Sequence, residues 1–245
     1  MPTTTHGLAS THGLRRRGSS STTRLRLANK TDAVLYAEGK KVVAAKDADH
    51  IKASNISWVS HDGTGYVFPK GGNVVLDFDI QKGKWKDINH SMPNSEEAYQ
   101  VFALSLDHGV KPVDASYAYI VVPEASDAKT LDAYCKKQHV NILSNTADIQ
   151  AVEQTDLGVW QAVFHKPATL TSRNLTLSVD KPCIVMVRRH NDGSVTLHVA
   201  DPAQKQEPIN VELKLKGSLN KAVKQVCDFT GTGIYAGQTK VYRLK

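Results

Sequence analysis

The sequence holds only three cysteines in 245 residues. Cys135, Cys183 and Cys227 lie far apart, are odd in number and form no C-x-x-C pair, so neither a zinc knuckle nor a disulfide framework is readable. Each is expected as a small buried hydrophobe. Long apolar runs are also missing. None approaches the roughly 20 residues that a membrane-crossing helix needs, so no membrane partner is expected. Helical periodicity is confined to one short stretch, and outside the first 30 residues there is almost no excess of either charge.

The formal charge of +7 invites a polyanion-binding reading until it is located. Arg15, Arg16, Arg17, Arg24, Arg26 and Lys30 sit in the first 30 residues with no acid among them. The remainder therefore carries 25 basic against 24 acidic residues. No nucleic-acid partner is expected from so balanced a body, although a local basic surface can exist within it. The first residues repeat Thr-His-Gly-Leu (Thr5 to Leu8 and Thr11 to Leu14), pass through the three arginines and end in serines and threonines. A secretory signal would follow its positive charges with an apolar stretch, and none is present here. Residues 1–22 are therefore expected to be a disordered leader or tail without a signal peptide.

What is present in quantity is period-two alternation, which places alternate side chains on opposite faces of a strand. Leu76, Phe78 and Ile80 alternate with Asp77 and Asp79. Val211, Leu213 and Leu215 alternate with Glu212, Lys214 and Lys216. Leu175, Leu177 and Val179 mark another strand, and Tyr117 to Val122 another, stopped by Pro123. Cys183 to Arg189 and Ser194 to Ala200 flank His190-Asn191-Asp192-Gly193, where Asp-Gly suits the positive φ angles of a tight hairpin turn. Only Asp127 to Lys137 reads as a helix, with Ser126 or Asp127 as N-cap and Leu131, Tyr134 and Cys135 on one face. Many strands with one helix, and no βαβ alternation, predict an all-β protein of antiparallel β-sandwiches. The alternation restarts after Thr155 to Pro167. That places a central β-sandwich domain at 23–157 and a small C-terminal β-sandwich at 158–245.

Three segments are richer in polar and aromatic residues than a plain sandwich requires. They are Trp58-Val-Ser-His61-Asp-Gly-Thr-Gly-Tyr66, Trp85-Lys-Asp-Ile-Asn89-His90-Ser91 and Leu106-Asp107-His108-Gly109. Followed by Tyr117-Ala-Tyr119-Ile-Val-Val-Pro123, their order and spacing from about Ala53 to Val152 resemble the central β-sandwich of polysaccharide lyase family 8. That group includes chondroitin AC, hyaluronate and xanthan lyases. The later part, with Ala236-Gly-Gln-Thr-Lys-Val-Tyr242, resembles the small terminal sandwich of the same enzymes.

The resemblance implies β-elimination on a uronic-acid-containing polysaccharide. A base removes the C5 proton and an acid protonates the leaving glycosidic oxygen, which calls for His, Tyr, Asn and Arg on one sugar. In the family these groups sit mainly on an α/α toroid that precedes the β domains, so no catalytic residue is carried over onto this chain. The implied partners are an acidic polysaccharide, such as a glycosaminoglycan, and the N-terminal catalytic domain that this chain lacks. The implied location is secreted or periplasmic. Calcium occurs in the family, but no metal site is readable here, because Asp62, Asp77, Asp79 and Asp107 lack loop spacing. No cofactor is expected.

Candidate saccharide-facing residues are Trp58, His61, Tyr66, Asn89, His90 and His108. Against this stands the reading that the histidines are structural hydrogen-bonding groups and that Trp58, Trp85 and Trp160 fill the space between sheets. Three readings stand: a lyase fragment bracing its cleft, which the motif order favours, a binding module, and a purely structural sandwich. A binding module needs outward Trp or Tyr beside Lys or Arg, whereas a structural sandwich buries its aromatics.

Overall fold

A computed structural model describes residues 20–29, 35–37, 40–42, 49–61, 63–125, 127–137, 139–231 and 233–244. Asp62 and Ser126 lie outside the described residues, as do residues 1–19 of the expected leader. The chain divides into two compact units between Lys137 and Gln138.

The first unit is built on one antiparallel sheet. Its strands are β1 (Ser20–Asn29), β2 (Leu35–Ala37), β3 (Lys40–Val42), β4 (Asp49–His61), β5 (Thr64–Gly83), β6 (Glu97–Val110) and β7 (Ile120–Val122). They run in the order β1-β6-β5-β4-β2-β3, with β7 also on β5. Ser20, Ser21 and Thr22 belong to β1, so the tail expected at 1–22 gives way to a strand at its last three residues. β-branched threonines on a paired edge are strand residues, whatever the hydropathy of the run.

The long strand β5 pairs with β4 near its start (Val59↔Tyr66) and with β6 further on (Leu76↔Leu104). Ile56, Val59, Tyr66, Phe68, Val74, Leu76, Phe102, Leu104 and Leu106 form the core on one face. Ile80 lies beyond that core and is half exposed, although its alternation with Asp79 predicted an inward side chain. The expected strand at Tyr117 to Val122 is limited to Ile120–Val122.

Helix α1 (Ala128–Lys137) covers the opposite face. The Asp127 carboxylate accepts the backbone N–H of Thr130 at 2.8 Å, an N-cap that the sequence proposed. That bond and the Thr130 hydroxyl hold the Asp127 carboxyl below its usual range. Leu131 is fully buried and lies directly over Gly65, where a Cβ would collide with its side chain. Glycine at 65 is thus what lets the helix seat on the sheet.

The second unit is a sandwich of two antiparallel sheets. One comprises β8 (Val140–Asn145), β9 (Ile149–Gln154), β10 (Val159–Phe164), β13 (Cys183–Arg189), β14 (Val195–Ala200) and β17 (Lys240–Leu244). The other comprises β11 (Ala168–Thr171), β12 (Leu175–Val179), β15 (Ile209–Leu215) and β16 (Leu219–Cys227). Their inward residues, among them Phe164, Leu175, Leu177, Val187, Leu197, Leu213 and Leu215, make a single core. Each large apolar side chain buried there contributes about 1.5–3 kcal/mol relative to exposure.

The expected hairpin is present, with Arg189 opposite Val195, but its turn spans His190 to Gly193 and only Gly193, at φ 83°, takes a positive φ, whereas Asp192 does not. The division at Lys137/Gln138 comes about twenty residues before the expected boundary at 157. The cause is pairing: β8 and β9 join β10, so the stretch assigned to the end of the first domain belongs to the second sandwich.

Candidate functional site

The candidates on β4 and β5 are internal. Trp58, His61 and Tyr66 retain 1%, 2% and 3% exposure. The His61 ring stacks on Phe102 with centroids 4.3 Å apart and planes 19° from parallel, and Tyr66 lies 6.4 Å from the same ring. On the other face, the Trp58 indole N–H donates to the Asp132 carboxylate at 2.9 Å. The neighbouring Ser60 hydroxyl donates to the Ala125 carbonyl at 3.0 Å. These bonds tie α1 and its leading loop to the sheet. Trp58, His61 and Tyr66 therefore cannot face a saccharide: their surfaces are spent on ring packing and on satisfying buried polar groups.

Asn89 and His90 are exposed, on the turn that follows β5. A short 3-10 turn at Trp85–Asp87 starts this segment. Asn89 then shapes the chain, because its backbone N–H donates to the Trp85 carbonyl at 2.9 Å and its side-chain oxygen accepts the Ser91 N–H at 3.0 Å. The turn carries Trp85 over the ends of β5 and β6, where the indole remains 52% exposed. Beside it is a groove of about 540 Å³ lined by Gln81, Lys82, Lys84, Trp85, Ile88 and Tyr99, among others. Sequence reasoning singled out Trp85 but missed Tyr99 and the lysines. Only the pairing of β5 with β6, which sets Gln81 opposite Tyr99, brings them together.

His108 is half-buried near the far end of β6. Its ring lies 5.8 Å from Tyr117, which in turn lies 6.3 Å from Tyr119 with planes 12° apart. This imidazole and the two phenols form a partly exposed aromatic strip against the core. Since β6 begins beside the Trp85 groove and His108 is eleven positions further on, about 35 Å of strand separates them at ~3.3 Å per residue. The candidates that are not buried thus form two separate places, exposed Asn89 with His90 and then half-buried His108, and the six do not converge on one sugar.

In the second unit Trp160 is buried, with the Arg189 guanidinium 5.7 Å from its ring centre. That contact is a cation–π pair missed from the sequence. Trp58 and Trp160 point inward as expected, and Trp85 does not. Among the described residues no group of three or more His, Cys, Asp or Glu side chains is placed to hold a metal ion. No described helix is long and apolar enough to cross a membrane.

Comparison with known proteins gives this geometry a family. The super-sandwich domain of polysaccharide lyase family 8 matches residues 11–135, and the C-terminal β-sandwich domain of that family matches 141–210. Chondroitinase-AC of Pedobacter heparinus is 35% identical over 174 residues, which cover 71% of this chain and 25% of that enzyme. Hyaluronate lyase of Thermasporomyces composti is 39% identical over 158 residues, covering 64% of this chain and 20% of the relative. A solved chondroitinase AC lyase superposes with a TM-score of 0.76 at 28% identity, over 93% of this chain and 33% of that one. A Paenibacillus xanthan lyase shares the fold at a TM-score of 0.79 and 18% identity, over 93% of this chain and 24% of that one. The chain spans about a quarter of the length of these curated relatives. Two domain signatures in the family's order, over an all-β chain divided between them, establish that the chain belongs to polysaccharide lyase family 8.

Proposed function

We propose that the chain is the C-terminal β-sandwich portion of a lyase that cleaves uronic-acid-containing polysaccharides by β-elimination, and that it braces the cleft rather than catalysing alone. The observation that carries this reading is the succession of the two family domains along one chain. Relatives named for chondroitin, hyaluronate and xanthan support an acidic polysaccharide as the substrate class. The scattering of His and Tyr supports the supporting role. Elimination needs a base and an acid on the same sugar, and here His61 and Tyr66 are buried while His108 stands far from Asn89 and His90. The partner is then the helical catalytic domain that the family resemblance implies, and work on extracellular polymers favours a secreted or periplasmic setting.

A saccharide-holding role has its own support. Trp85 is an outward indole beside Lys82 and Lys84, the combination expected of a binding module, and Asn89 and His90 continue the same turn. His108 with Tyr117 and Tyr119 is the second candidate contact.

The test is incubation of the chain with chondroitin sulfate, hyaluronan and xanthan while following the ultraviolet absorbance of the unsaturated uronate that elimination produces. No rise is expected from the chain alone. A time-dependent rise abolished by His108→Ala would overturn the supporting role and place a complete active site on these domains.

A further inference from the structure

The outer face of the six-stranded sheet in the second unit has a composition that its core does not require. Strand register sets Arg188 on β13 opposite Thr196 on β14, and Thr196 opposite Arg243 on β17. The next row is Met186, His198 and Val241. Burial follows the same parity: Val187, Leu197 and Leu244 are inside, whereas Arg188, Val241 and Arg243 are exposed. A 3.8 Å contact from the Gln161 amide to the Met186 sulfur extends this face onto β10. His190 adds its ring at the end of the first row, 3.0 Å from the Thr196 hydroxyl.

Across all six strands no Asp or Glu occupies an outward position. The chain as a whole has 24 acids against 31 bases, so the absence of outward carboxylates from the exposed strands β10, β13, β14 and β17 is a local departure, and the nearby acid is Asp192 of the adjoining turn, beside His190. Two strand spacings put the Arg188 and Arg243 backbones about 10 Å apart on one face of the sheet. Guanidinium forks suit carboxylate and sulfate groups, which they bind through paired charge-assisted hydrogen bonds. The apolar ground of Ile184, Met186 and Val241 gives a sugar ring something to lie on.

We propose that this face binds an acidic polysaccharide chain, with Arg188 and Arg243 holding successive anionic groups and His190 and His198 beside them. The ligand class rests on the proposed lyase function, whereas the location rests on the register and the charge alone. A linear polymer bearing an acidic group on alternate sugars matches two cations in a row, where a single small anion would use only one.

The experiment is titration of the full chain with size-defined chondroitin sulfate and hyaluronan, with uncharged dextran as control, at low and high salt. Arg188→Ala, Arg243→Ala and the double variant are compared with Lys216→Ala, on the exposed turn that follows β15 of the opposite sheet. The expected result is a loss of about tenfold in affinity for each arginine, a larger loss for both, and a weaker salt dependence in the double variant. Lys216→Ala and dextran should show no effect and no binding. Because both arginines are exposed, unfolding temperatures should be unchanged. Wild-type binding that survives in the double variant would overturn this face and leave the lyase reading standing. Absence of binding by the wild type to either acidic polymer would overturn the face and the saccharide contact together. Self-association lost in the double variant, without saccharide binding, would make the face a protein interface and overturn the proposal.

Discussion

The Trp58 indole N–H and the Asp132 carboxylate, 74 residues apart in sequence, meet at 2.9 Å and pin α1 to β4. Replacing Asp132 with alanine leaves a buried donor unmet. The expected cost is about 1–3 kcal/mol in urea unfolding, and Asp132→Asn, which keeps an acceptor, should recover most of it.

Gly65 and Leu131 form the second pin. Any side chain at 65 collides with the leucine, so Gly65→Val should destabilise the first unit by about 1–3 kcal/mol through overpacking. Combined with Leu131→Ala the two effects should be less than additive, since the truncated leucine makes room. An additive double-mutant cycle would show that helix and sheet do not meet there.

The histidines should separate by function. His61→Ala removes a ring stacked on Phe102 and should lower stability by about 2–5 kcal/mol, leaving polysaccharide affinity unchanged per folded molecule. His90→Ala and Asn89→Ala alter exposed side chains and should change stability by less than about 0.5 kcal/mol. His108→Ala should weaken saccharide binding, because its ring is part of the strip with Tyr117 and Tyr119. Calorimetric unfolding beside a binding titration reads both quantities.

The alkaline limb of stability follows from two thiols. Burial pushes Cys183 up to about 12, with Cys227, Asp180 and Asp201 adding to it. Burial likewise pushes Cys227 up to about 11. A folded-state value raised above the unfolded one, near 9.0, means that the folded chain holds the proton longer. The stability linked to these protons is fully present below pH 9 and is lost as pH rises toward 11 and 12, at up to about 1.4 kcal/mol per unit for each thiol. Unfolding midpoints measured from pH 8 to 11 should fall, and Cys183→Ala should flatten the fall. Thiol reagents should reach half-buried Cys135 first and the other two only on unfolding.

Much of the second sandwich was legible because each strand has one wet face. Val211, Leu213 and Leu215 alternate with exposed residues in register with their burial. In the first unit the pattern fails where both faces are covered. Trp58, Val59, Ser60 and His61 are all buried, as are residues 101–106, so parity could not tell an inward Trp58 from an outward one. The domain boundary was read late for a related reason. Strands β8 and β9 show no clean alternation, and nothing marked the restart until β10. Trp85 escapes the inward rule because it lies past the strand end, on a turn, where sheet parity no longer applies. The cationic outer face was invisible in a nearly neutral total, since Arg188 and Arg243 lie in distant segments that only the pairing of β13, β14 and β17 brings side by side.

The pairing of β1 with β6 has a kinetic consequence. Leu27 meets Phe102 and Arg24 meets Ser105, whereas β4 and β5 are joined by a short connection and pair from Thr64 onward. Closing the larger loop costs more chain entropy, so the hairpin should form early and β1 should dock late. Until it does, β6 presents an open ladder of N–H and C=O groups to any other chain in solution. Refolding yield should therefore fall with protein concentration, and the aggregates that form should grow through the edge that β1 normally closes.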